Sequence, residues 1–471
     1  MRIATVVLAA GQGTRMKSSK AKVLHEVGGK PMVVRSIETA EKLTALYSSS
    51  ERPVVVVGRD ADAVKSIVGE RATFVTQAEL LGTAHAVAQA ESVLRGKATH
   101  VVVYYADMPL LEVETLRSLV ESQVNSTGVL TLLTVIQDDP RGFGRIVRNE
   151  FGQVVDIVEE REATSEQLKI KELNAGVYCF QADWLWDHLS RLKTRSNGEY
   201  YLTDLPALSA IENQPGLPIV HNDIEELIGI NTRVHLADAE AALRRRINRK
   251  LMLSGVTIID PATTYIHEGV SIGQDTVILP NTHIYGATQI GSNCEIGPDT
   301  TIIDSRVGNS CEIRSSVIEE AIFEDRVNAG PYCHLRKGSH LEAGVHMGNF
   351  GEVKNSRLGA GTRMGHFSYI GDSDIGVDVN IGAGTITANF DGVRKNKTIV
   401  GDHAFIGSDS ILVAPVTISN NARTAAGSVV TRNVPEGHIA IGVPARMRQI
   451  RPPASASSDQ QQSLQAERKE T

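Results

Sequence analysis

The sequence of 471 residues predicts an α/β Rossmann-like domain followed by a left-handed parallel β-helix of hexapeptide repeats. In the C-terminal half, most clearly from 358 to 418, six-residue units begin with an aliphatic residue, glycine and a small or polar residue. In a parallel β-helix the aliphatic side chains stack inward on successive rungs, and glycine permits tight corners. Before residue 230, short β-rich runs alternate with helical patterns, which is typical of a mostly parallel sheet covered by helices.

Residue patterns also place the individual elements. Apolar runs predict strands at 3–10, 54–57, 100–105 and 129–135, and helical spacing predicts helices at 32–46 and 83–94. A further helix is predicted where Leu236, Ala239, Leu243, Ile247 and Leu251 recur every three or four residues. We therefore expect an α/β domain at 1–230, a linker helix at 231–254, the β-helix at 255–451 and a polar, flexible tail at 452–471.

Composition excludes several classes of protein. The 48 basic and 55 acidic side chains give a net charge of −7 without a basic tract, which argues against a nucleic-acid partner. No apolar run approaches the roughly 20 residues that span a bilayer, so we expect no membrane association and a cytoplasmic protein. The cysteines lack metal-ligand and redox spacing and are expected as free thiols: Cys179, Cys294, Cys311 and Cys333.

A glycine-containing loop follows the first predicted strand at residues 8–16. Glycines let backbone N–H groups approach a phosphate, and Arg15 and Lys22 supply positive charge nearby, so the arrangement suits a nucleoside triphosphate. The loop is not a P-loop, and Met16 stands where a dinucleotide-binding fingerprint has its third glycine. The alternative is a tight strand-to-helix turn without a ligand.

Two other segments of this domain carry candidate chemistry. Asp107 ends an apolar strand, where ligands of open parallel sheets bind, and a Mg²⁺ ion there would bridge phosphate oxygens. A turn or helix cap is the alternative for Asp107. Gln77 has an amide that can read a base edge, and Gly82 permits close approach. Thr83 is also a candidate helix N-cap, and both interpretations can hold together.

These motifs, followed by a hexapeptide prism, resemble the bacterial bifunctional family of N-acetylglucosamine-1-phosphate uridyltransferases/glucosamine-1-phosphate N-acetyltransferases. The resemblance rests on the loop 8–16 with Lys22, on Asp107, and on segments 77–83, 142–145, 158–159, 173–176 and 229–231. It implies catalytic roles for Arg15 and Lys22, and Mg²⁺ carried by Asp107 and Asn231. It also implies that the uridine nucleotide and the sugar are bound by Leu8, Ala9, Ala10, Gly11, Lys22, Gln77, Gly82, Thr83, Tyr105, Ala106, Asp107, Gly144, Glu159, Asn174 and Asn231. Of these, the resemblance assigns the sugar to Gly144, Glu159 and Asn174.

In the repeat region, segment 365–372 replaces small corner residues with His366 and Tyr369. An imidazole that titrates near neutrality can take a proton from an amine as it attacks a thioester. Arg336 and Lys354 on nearby rungs could grip a sugar phosphate, and Glu352 could orient the imidazole. The polar excursion 387–397 interrupts the repeat, as an insertion over a binding face does. Alternatively, His366 is a surface residue of its rung without a function.

The same resemblance assigns this region to acetyl transfer. It implies His366 as the base, and it implies glucosamine 1-phosphate on Arg336, Lys354, Tyr369 and Asn380. Acetyl-CoA is assigned to Ala383, Asn389, Phe390, Ser408, Ala426 and, at the C-terminal end, Arg446. The chain departs from the family pattern at Gln12, Ala21, Ala106, Lys337 and Phe390, which stand where lysine, proline, glycine, proline and tyrosine are usual.

We therefore predict a homotrimeric enzyme that acetylates glucosamine 1-phosphate with acetyl-CoA. It then transfers a uridylyl group from UTP, with Mg²⁺, and so supports peptidoglycan and lipopolysaccharide synthesis. One alternative is a single-activity nucleotidyltransferase whose β-helix only oligomerises or regulates. Another is a non-catalytic assembly or exchange-factor subunit. The segments 365–372 and 380–392 argue against the first, and the retained Arg15, Lys22, Asp107 and Asn231 argue against the second.

Overall fold

A computed structural model describes residues 1–140, 142–195 and 197–450. The predicted tail at 452–471 lies outside the described residues. The chain forms two compact units, Met1–Leu243 and Arg244–Thr471. The division falls inside a long helix, within the stretch 231–254 that the sequence predicts as a linker.

The first unit is a sheet with helices on both faces. Its strands are β1 (Ile3–Ala9), β2 (Glu26–Val27), β3 (Lys30–Pro31), β4 (Val54–Val57), β5 (Thr73–Thr76), β6 (His100–Tyr105), β7 (Leu130–Ile136), β8 (Arg145–Arg148), β9 (Val154–Val158), β10 (Glu172–Gln181) and β11 (Leu217–Val220). Its helices are α1 (Met32–Leu46), α2 (Ala61–Val68), α3 (Thr83–Ala88), α4 (Glu91–Leu94), α5 (Val113–Asn125), α6 (Ala182–Leu189) and α7 (Leu205–Ile211); α8 (Arg233–Leu253) follows them. Short 3₁₀ turns lie at Thr14–Met16, Lys22–Leu24, Gly69–Arg71, Gln167–Lys169, Leu202–Asp204 and Ile224–Leu227.

The order of strands in the main sheet is β11-β7-β10-β6-β1-β4-β5, with β8 on β10 and β9 on β8. Strand β1 pairs in parallel with β4 on one side and with β6 on the other. The chain runs outward from β1 to β4 and β5 and then returns to the opposite side as β6. The carboxyl ends of β1 and β6 therefore form a topological switch point, which is where open α/β sheets bind ligands.

Both faces of this sheet are covered, and β1 shows why its sequence is almost entirely apolar, with Thr5 as its one polar residue. All seven of its residues are buried. Ile3 and Val7 join the core cluster on one side of the sheet, while Ala4, Val6 and Leu8 join the cluster on the other. Because side chains alternate along a strand, a strand buried on both faces carries apolar side chains at nearly every position.

The structure corrects two details of the predicted first domain. The predicted helix 83–94 is two helices, α3 and α4, because the N–H groups of Gln89 and Ala90 between them donate to carbonyls three residues back, as in a turn. The predicted mostly parallel sheet also contains β10, a ten-residue strand that runs antiparallel to both β6 and β7.

The second unit is a prism of three sheets, which agrees with the predicted β-helix; their strands pair in parallel except for the last strand of the first face, which is antiparallel to its neighbour. The first face contains twelve strands, at Thr257–Ile258, Val277–Ile278, Glu295–Ile296, Glu312–Ile313, Asn328–Ala329, His346–Met347, Arg363–Met364, Asn380–Ile381, Phe405–Ile406, Arg423–Thr424, His438–Ile441 and Arg446–Gln449. The second face contains ten, at Tyr265–Ile266, His283–Tyr285, Thr301–Ile303, Val317–Glu319, His334–Leu335, Gly351–Lys354, Ser368–Gly371, Ile386–Ala388, Ile411–Val413 and Val429–Val430. The third face contains nine, at Ser271–Ile272, Gln289–Ile290, Arg306–Val307, Ile322–Phe323, His340–Leu341, Arg357–Leu358, Ser373–Ile375, Thr398–Val400 and Val416–Ile418.

The close approach of successive rungs at the corners of the β-helix explains why the repeat contains a glycine. A side chain on Gly348 would place its Cβ 1.9 Å from the carbonyl oxygen of Gly365 on the next rung. The aliphatic residue that precedes each glycine is buried, as Leu358, Ile375 and Val400 are. Stacked rungs therefore require this glycine for backbone clearance and the aliphatic residue for the core.

The four cysteines are free, as predicted, and all four are buried. Over the part of the chain that the structure describes, none of the helices combines the length and apolar character needed to cross a bilayer.

Candidate functional sites

The glycine loop leaves the carboxyl end of β1 and reaches the 3₁₀ turn Thr14–Met16. Leu8, Ala9 and Ala10 are buried and carry the loop, whereas Gly11 and Arg15 are exposed. Gly13 has a left-handed backbone with φ of 62°. A Cβ on Gly13 would lie 2.5 Å from Cβ of Lys22, so the lysine stem rests against the loop. The loop and Lys22 thus form one surface.

Lys22, Asp107 and Asn231 converge at the switch point. The Lys22 ammonium donates to Asp107 Oδ2 and, at 3.1 Å, to Asn231 Oδ1, although these residues lie 85 and 209 positions away in the chain. The backbone N–H of Ile230 donates to the carbonyl oxygen of Asp107 at 2.9 Å, which fixes Asn231 beside the carboxylate. Two oxygens of different chemistry therefore contact one cation.

This donor set fits the magnesium ion that the sequence predicts. A carboxylate and an amide oxygen are hard ligands, and the Lys22 ammonium marks the point on which they converge. Within residues 1–140, 142–195 and 197–450, no three His, Cys, Asp or Glu side chains form a self-contained metal site. Mg²⁺ commonly takes one or two protein ligands and completes its shell with substrate phosphates and water.

Thr83, in the segment that begins at Gln77, does not have its predicted capping role. Helix α3 begins at Thr83, but the residue in the cap position is Gly82, so Thr83 is not an N-cap. The Thr83 hydroxyl instead accepts a hydrogen bond from the Leu202 N–H at 3.0 Å. Gly82 is crowded by the protein itself, because a Cβ there would lie 2.4 Å from the carbonyl oxygen of Tyr200. Gln77 is buried and donates to the Gly82 carbonyl at 3.0 Å.

The residues predicted for the sugar form a second cluster in this unit. The Asn174 N–H donates to the Gly144 carbonyl at 2.8 Å, and a Cβ on Gly144 would lie 3.7 Å from Glu159 Oε1. The Thr203 hydroxyl donates to the same Glu159 oxygen at 3.1 Å. Burial raises the pKa of Glu159, and the hydrogen bond from Thr203 opposes that shift. Thr203 is a residue that the sequence reasoning missed.

The Asn174 amide is held in one orientation. Its Oδ1 accepts from the Gly176 N–H at 3.1 Å, and its Nδ2 donates to the Tyr178 hydroxyl at 2.7 Å. Gly176 also clears space for Tyr105, because a Cβ there would lie 2.7 Å from the Tyr105 ring. Burial raises the pKa of the Tyr105 hydroxyl above its usual range. Ala106, next in the chain, is fully buried, so it supports Asp107 from inside.

In the β-helix, four of the predicted acetyl-transfer residues form one vertical column at the corner between the first and second faces. Strand pairing of Arg363 with Asn380, of Ile381 with Ile406 and of Ile406 with Thr424 fixes the register. On that register the successive rungs present His366, Ala383, Ser408 and Ala426. His366 is exposed, and its ring has no hydrogen-bond partner among the residues that the structure describes.

Three cations gather where the second face ends. Arg336 and Lys354 lie on adjacent rungs, since the Arg336 N–H donates to the Val353 carbonyl at 2.9 Å. Contact with the Lys395 ammonium, and then the charge of Arg336, lower the pKa of Lys354. Cations that repel one another at one place are typical of an anion site. Lys395 was missed in the sequence, although it lies inside the polar excursion 387–397.

Glu352 does not orient His366 as predicted. Its Oε1 accepts from Arg336 at 3.0 Å, on the same face as Lys354. The carboxylate therefore aligns a guanidinium of the cation cluster and leaves the imidazole free.

The remaining predicted residues lie on both the first and the second face. The Tyr369 ring leans over Gly371, where an added Cβ would lie 2.4 Å from the tyrosine hydroxyl oxygen. Asn389 is buried and donates to Asp372 at 2.5 Å, whereas Phe390 is exposed at the start of the excursion. Asn380 lies on the first face, and Arg446 lies on the last strand of that face. One prism thus distributes the predicted set over two faces.

Comparison with known proteins agrees with both units. Residues 5–165 match the model of the MobA-like NTP transferase domain. Residues 269–304 match the bacterial transferase hexapeptide of six repeats, and residues 397–432 match the hexapeptide repeat of succinyl-transferase. These repeats agree with the left-handed β-helix predicted from the sequence.

Curated relatives match almost the whole chain. Bifunctional protein GlmU of Enterococcus faecalis is 45% identical, and the match covers 94% of this chain and 96% of that protein. The protein of the same name from Caldanaerobacter subterraneus is 45% identical over 95% of this chain and 96% of its own length. The one from Pelobacter propionicus is 44% identical over 93% and 95%. With both halves matched at this identity, the chain belongs to the bifunctional GlmU family of transferases.

Proposed function

We propose that this chain catalyses two transfers, one in each compact unit. The second unit moves an acetyl group from acetyl-CoA to the amine of glucosamine 1-phosphate. The first unit then transfers a uridylyl group from UTP to the phosphate of the acetylated sugar and releases pyrophosphate. The proposal rests on one observation: each unit has its own polar cluster. One lies around Lys22 and Asp107, and the other lies around His366 and Lys354. The product then serves peptidoglycan and lipopolysaccharide synthesis, as the family resemblance implies.

For acetyl transfer, His366 is the base. Its exposed imidazole takes a proton from the sugar amine as the nitrogen attacks the thioester carbonyl. The C–N bond forms, the C–S bond breaks, and the proton passes to the departing coenzyme A thiolate. Arg336, Lys354 and Lys395 hold the sugar phosphate, and the corner residues above His366 line the path of the pantetheine arm.

For uridylyl transfer, the phosphate oxygen of the acetylated sugar attacks the α-phosphorus of UTP, and the bond to pyrophosphate breaks. Lys22 and Arg15 neutralise charge that develops on the phosphates, while Glu159 and Asn174 orient the sugar. Asp107 and Asn231 would hold Mg²⁺, which supplies further positive charge to the phosphate oxygens when bound.

The acetyl site is proposed to be completed in a trimer. Tyr332 and Phe350 stack with ring centroids 5.2 Å apart beside the His366 corner. Phe367 occupies the equivalent position on the next rung, because Gly351 pairs with Ser368, and so extends this aromatic ridge. Their exposures of 60%, 59% and 56% are high for large apolar side chains. A neighbouring prism would cover the ridge and would add residues such as Asn380 from its own first face to the site.

An assay of the purified protein with acetyl-CoA, glucosamine 1-phosphate and UTP, each withheld in turn, tests the two-reaction proposal. Omitting UTP should leave N-acetylglucosamine 1-phosphate as the product. Omitting acetyl-CoA should prevent formation of UDP-N-acetylglucosamine unless the acetylated sugar phosphate is supplied. If only the uridylyl step occurs, the β-helix is a passive scaffold and the two-reaction proposal is wrong.

A further inference from the structure

We infer that Lys22 has a second role, in which its ammonium occupies the magnesium ligands before the nucleotide arrives and releases them to Mg²⁺ when phosphates attract it away. This inference rests on the proposed function, because it takes Asp107 and Asn231 as the metal ligands. It makes Lys22 the group through which metal binding and nucleotide binding communicate.

The first step is that Lys22 and a metal ion need the same atoms. The ammonium contacts Asp107 Oδ2 and lies 3.1 Å from Asn231 Oδ1. Mg²⁺ binds oxygen at about 2.0–2.1 Å. A divalent ion on these oxygens and an ammonium bonded to them would be two neighbouring cations, which repel strongly. Lys22 and Mg²⁺ therefore compete.

The second step is that the contact compensates a carboxylate largely removed from water. The side chains of Lys22 and Asp107 are only 11% and 16% exposed. A carboxylate in such surroundings needs a cation beside it, and the lysine supplies one when Mg²⁺ does not. The ion pair keeps the ligand pair assembled at the switch point.

The third step is that Lys22 has an alternative partner within reach. Its stem lies against Gly13, in the loop predicted to cradle the phosphates. An ammonium on a flexible four-carbon stem can turn from Asp107 to a phosphate on that loop while its Cβ stays in place. Nucleotide phosphates would then remove the competitor of the metal, so the two ligands should bind with positive cooperativity. Coupling between sites of this kind is typically about 5- to 150-fold, and it is reciprocal.

The test uses the full-length protein, with Mn²⁺ as the probe and electron paramagnetic resonance to count free Mn²⁺. Without nucleotide, Lys22→Met should bind Mn²⁺ about tenfold more tightly than the wild type, because the competing ammonium is gone. In metal-free buffer the same variant should bind UTP more weakly, because the phosphates lose a cation. Lys20→Met is the matched control. It removes an exposed lysine of the same segment, which pairs with Glu26 at 3.7 Å, and should change Mn²⁺ affinity by less than twofold.

The inference would be overturned if Lys22→Met, without nucleotide, binds Mn²⁺ no more tightly than the wild type does. Lys22→Gln replaces the methionine variant if thermal melting shows that the latter is unfolded. Asp107→Asn separates the two proposals, since it should weaken Mn²⁺ binding in every background. Mn²⁺ binding that ignores Asp107→Asn would show that the proposed metal site is wrong, and the inference would fall with it.

Discussion

A histidine at a β-helix corner points away from the aliphatic core and depends on its ligand for partners. His366 is exposed, and the carboxylate expected to orient it is bonded to Arg336. If His366 is the base, as we propose, its imidazole gains a partner when the sugar amine binds, as a general base does when it is organised by substrate.

The first prediction is that His366→Ala loses acetyltransferase kcat by about 10²- to 10⁴-fold, the usual contribution of a general base. Uridylyl transfer, in the other unit, should remain near wild type. Steady-state assays of both reactions measure this, and His346→Ala, at another exposed histidine of the first face, is the control. Normal acetylation by His366→Ala would make His366 a rung-surface residue without a catalytic role.

The second prediction is that a substitution at Asp107 impairs uridylyl transfer and leaves acetyl transfer unchanged. Asp107→Asn keeps the shape of the side chain but removes the charge that faces the cation. Loss of such electrostatic organisation typically costs about 10²-fold or more in rate, so uridylyl transfer should fall by that order at saturating Mg²⁺. Acetyl transfer by the same sample is the internal control. Unchanged uridylyl transfer would contradict the role of Asp107 as a metal ligand.

Tyr178 should act on the sugar through Asn174. Tyr178→Phe removes the hydroxyl that accepts from Asn174 Nδ2, so the amide becomes free to turn. A net hydrogen bond contributes about 0.5–1.5 kcal/mol, which corresponds to a rise of about two- to tenfold in KM for N-acetylglucosamine 1-phosphate. The kcat and the KM for UTP should stay within twofold.

The control for Tyr178 is Tyr104→Phe, which removes another buried hydroxyl of the same sheet, one that bonds the Ser36 carbonyl at 2.6 Å. Equal effects of both substitutions on every kinetic constant would indicate a general loss of stability and would contradict a positioning role for Tyr178.

At the scale of elements, α8 serves both units in turn. Glu240 accepts from the Gly28 N–H at 2.8 Å, and Leu243 lies against Gly28 so closely that a Cβ there would approach it to 2.4 Å. Further along, Ile247 and Leu251 pack against the core of the β-helix. The first half of the helix therefore belongs to the α/β unit, and the second half to the prism.

A chain that ends at Arg249 should consequently keep uridylyl transfer and lose acetyl transfer. A chain that ends at Thr232 lacks the contacts of Glu240 and Leu243 and should melt at a lower temperature. Circular dichroism melting and the uridylyl assay measure both outcomes. Loss of uridylyl transfer in a folded chain ending at Arg249 would contradict the separation of the activities.

Elements with a strong repeat were predictable, and those decided by tertiary contacts were not. Helix α1 at Met32–Leu46 and strand β4 at Val54–Val57 match their predicted bounds, because the first has helical spacing of its apolar residues and the second is a short continuous apolar run. The predicted cap at Thr83 was wrong because its hydroxyl serves Leu202, 119 residues away. Lys395 escaped notice because no local pattern shows that it reaches Lys354. Its basic charge within a polar insertion was the available signal.

At the scale of the whole molecule, the exposed aromatic ridge of Tyr332, Phe350 and Phe367 indicates association between chains, and the family resemblance predicts that the assembly in solution is a trimer. Static light scattering coupled to size exclusion should report three times the mass of 50.8 kDa. Phe350→Glu introduces charge into the ridge and should shift the protein towards monomer, with loss of acetyl transfer and retention of uridylyl transfer. A monomer that still transfers acetyl groups would contradict a shared site.

The column of His366, Ala383, Ser408 and Ala426 also sets a fixed distance along the prism. Each coil of the chain, however many residues it spends on its faces, advances the corner by one strand spacing of about 4.8 Å. Three coils therefore set about 14 Å between the base and the outermost corner residue, comparable with an extended arm lying along that edge. Removing one whole coil between them would shorten this distance by about 4.8 Å, so an acyl carrier held at the outermost corner would place its thioester beyond His366, the proposed base.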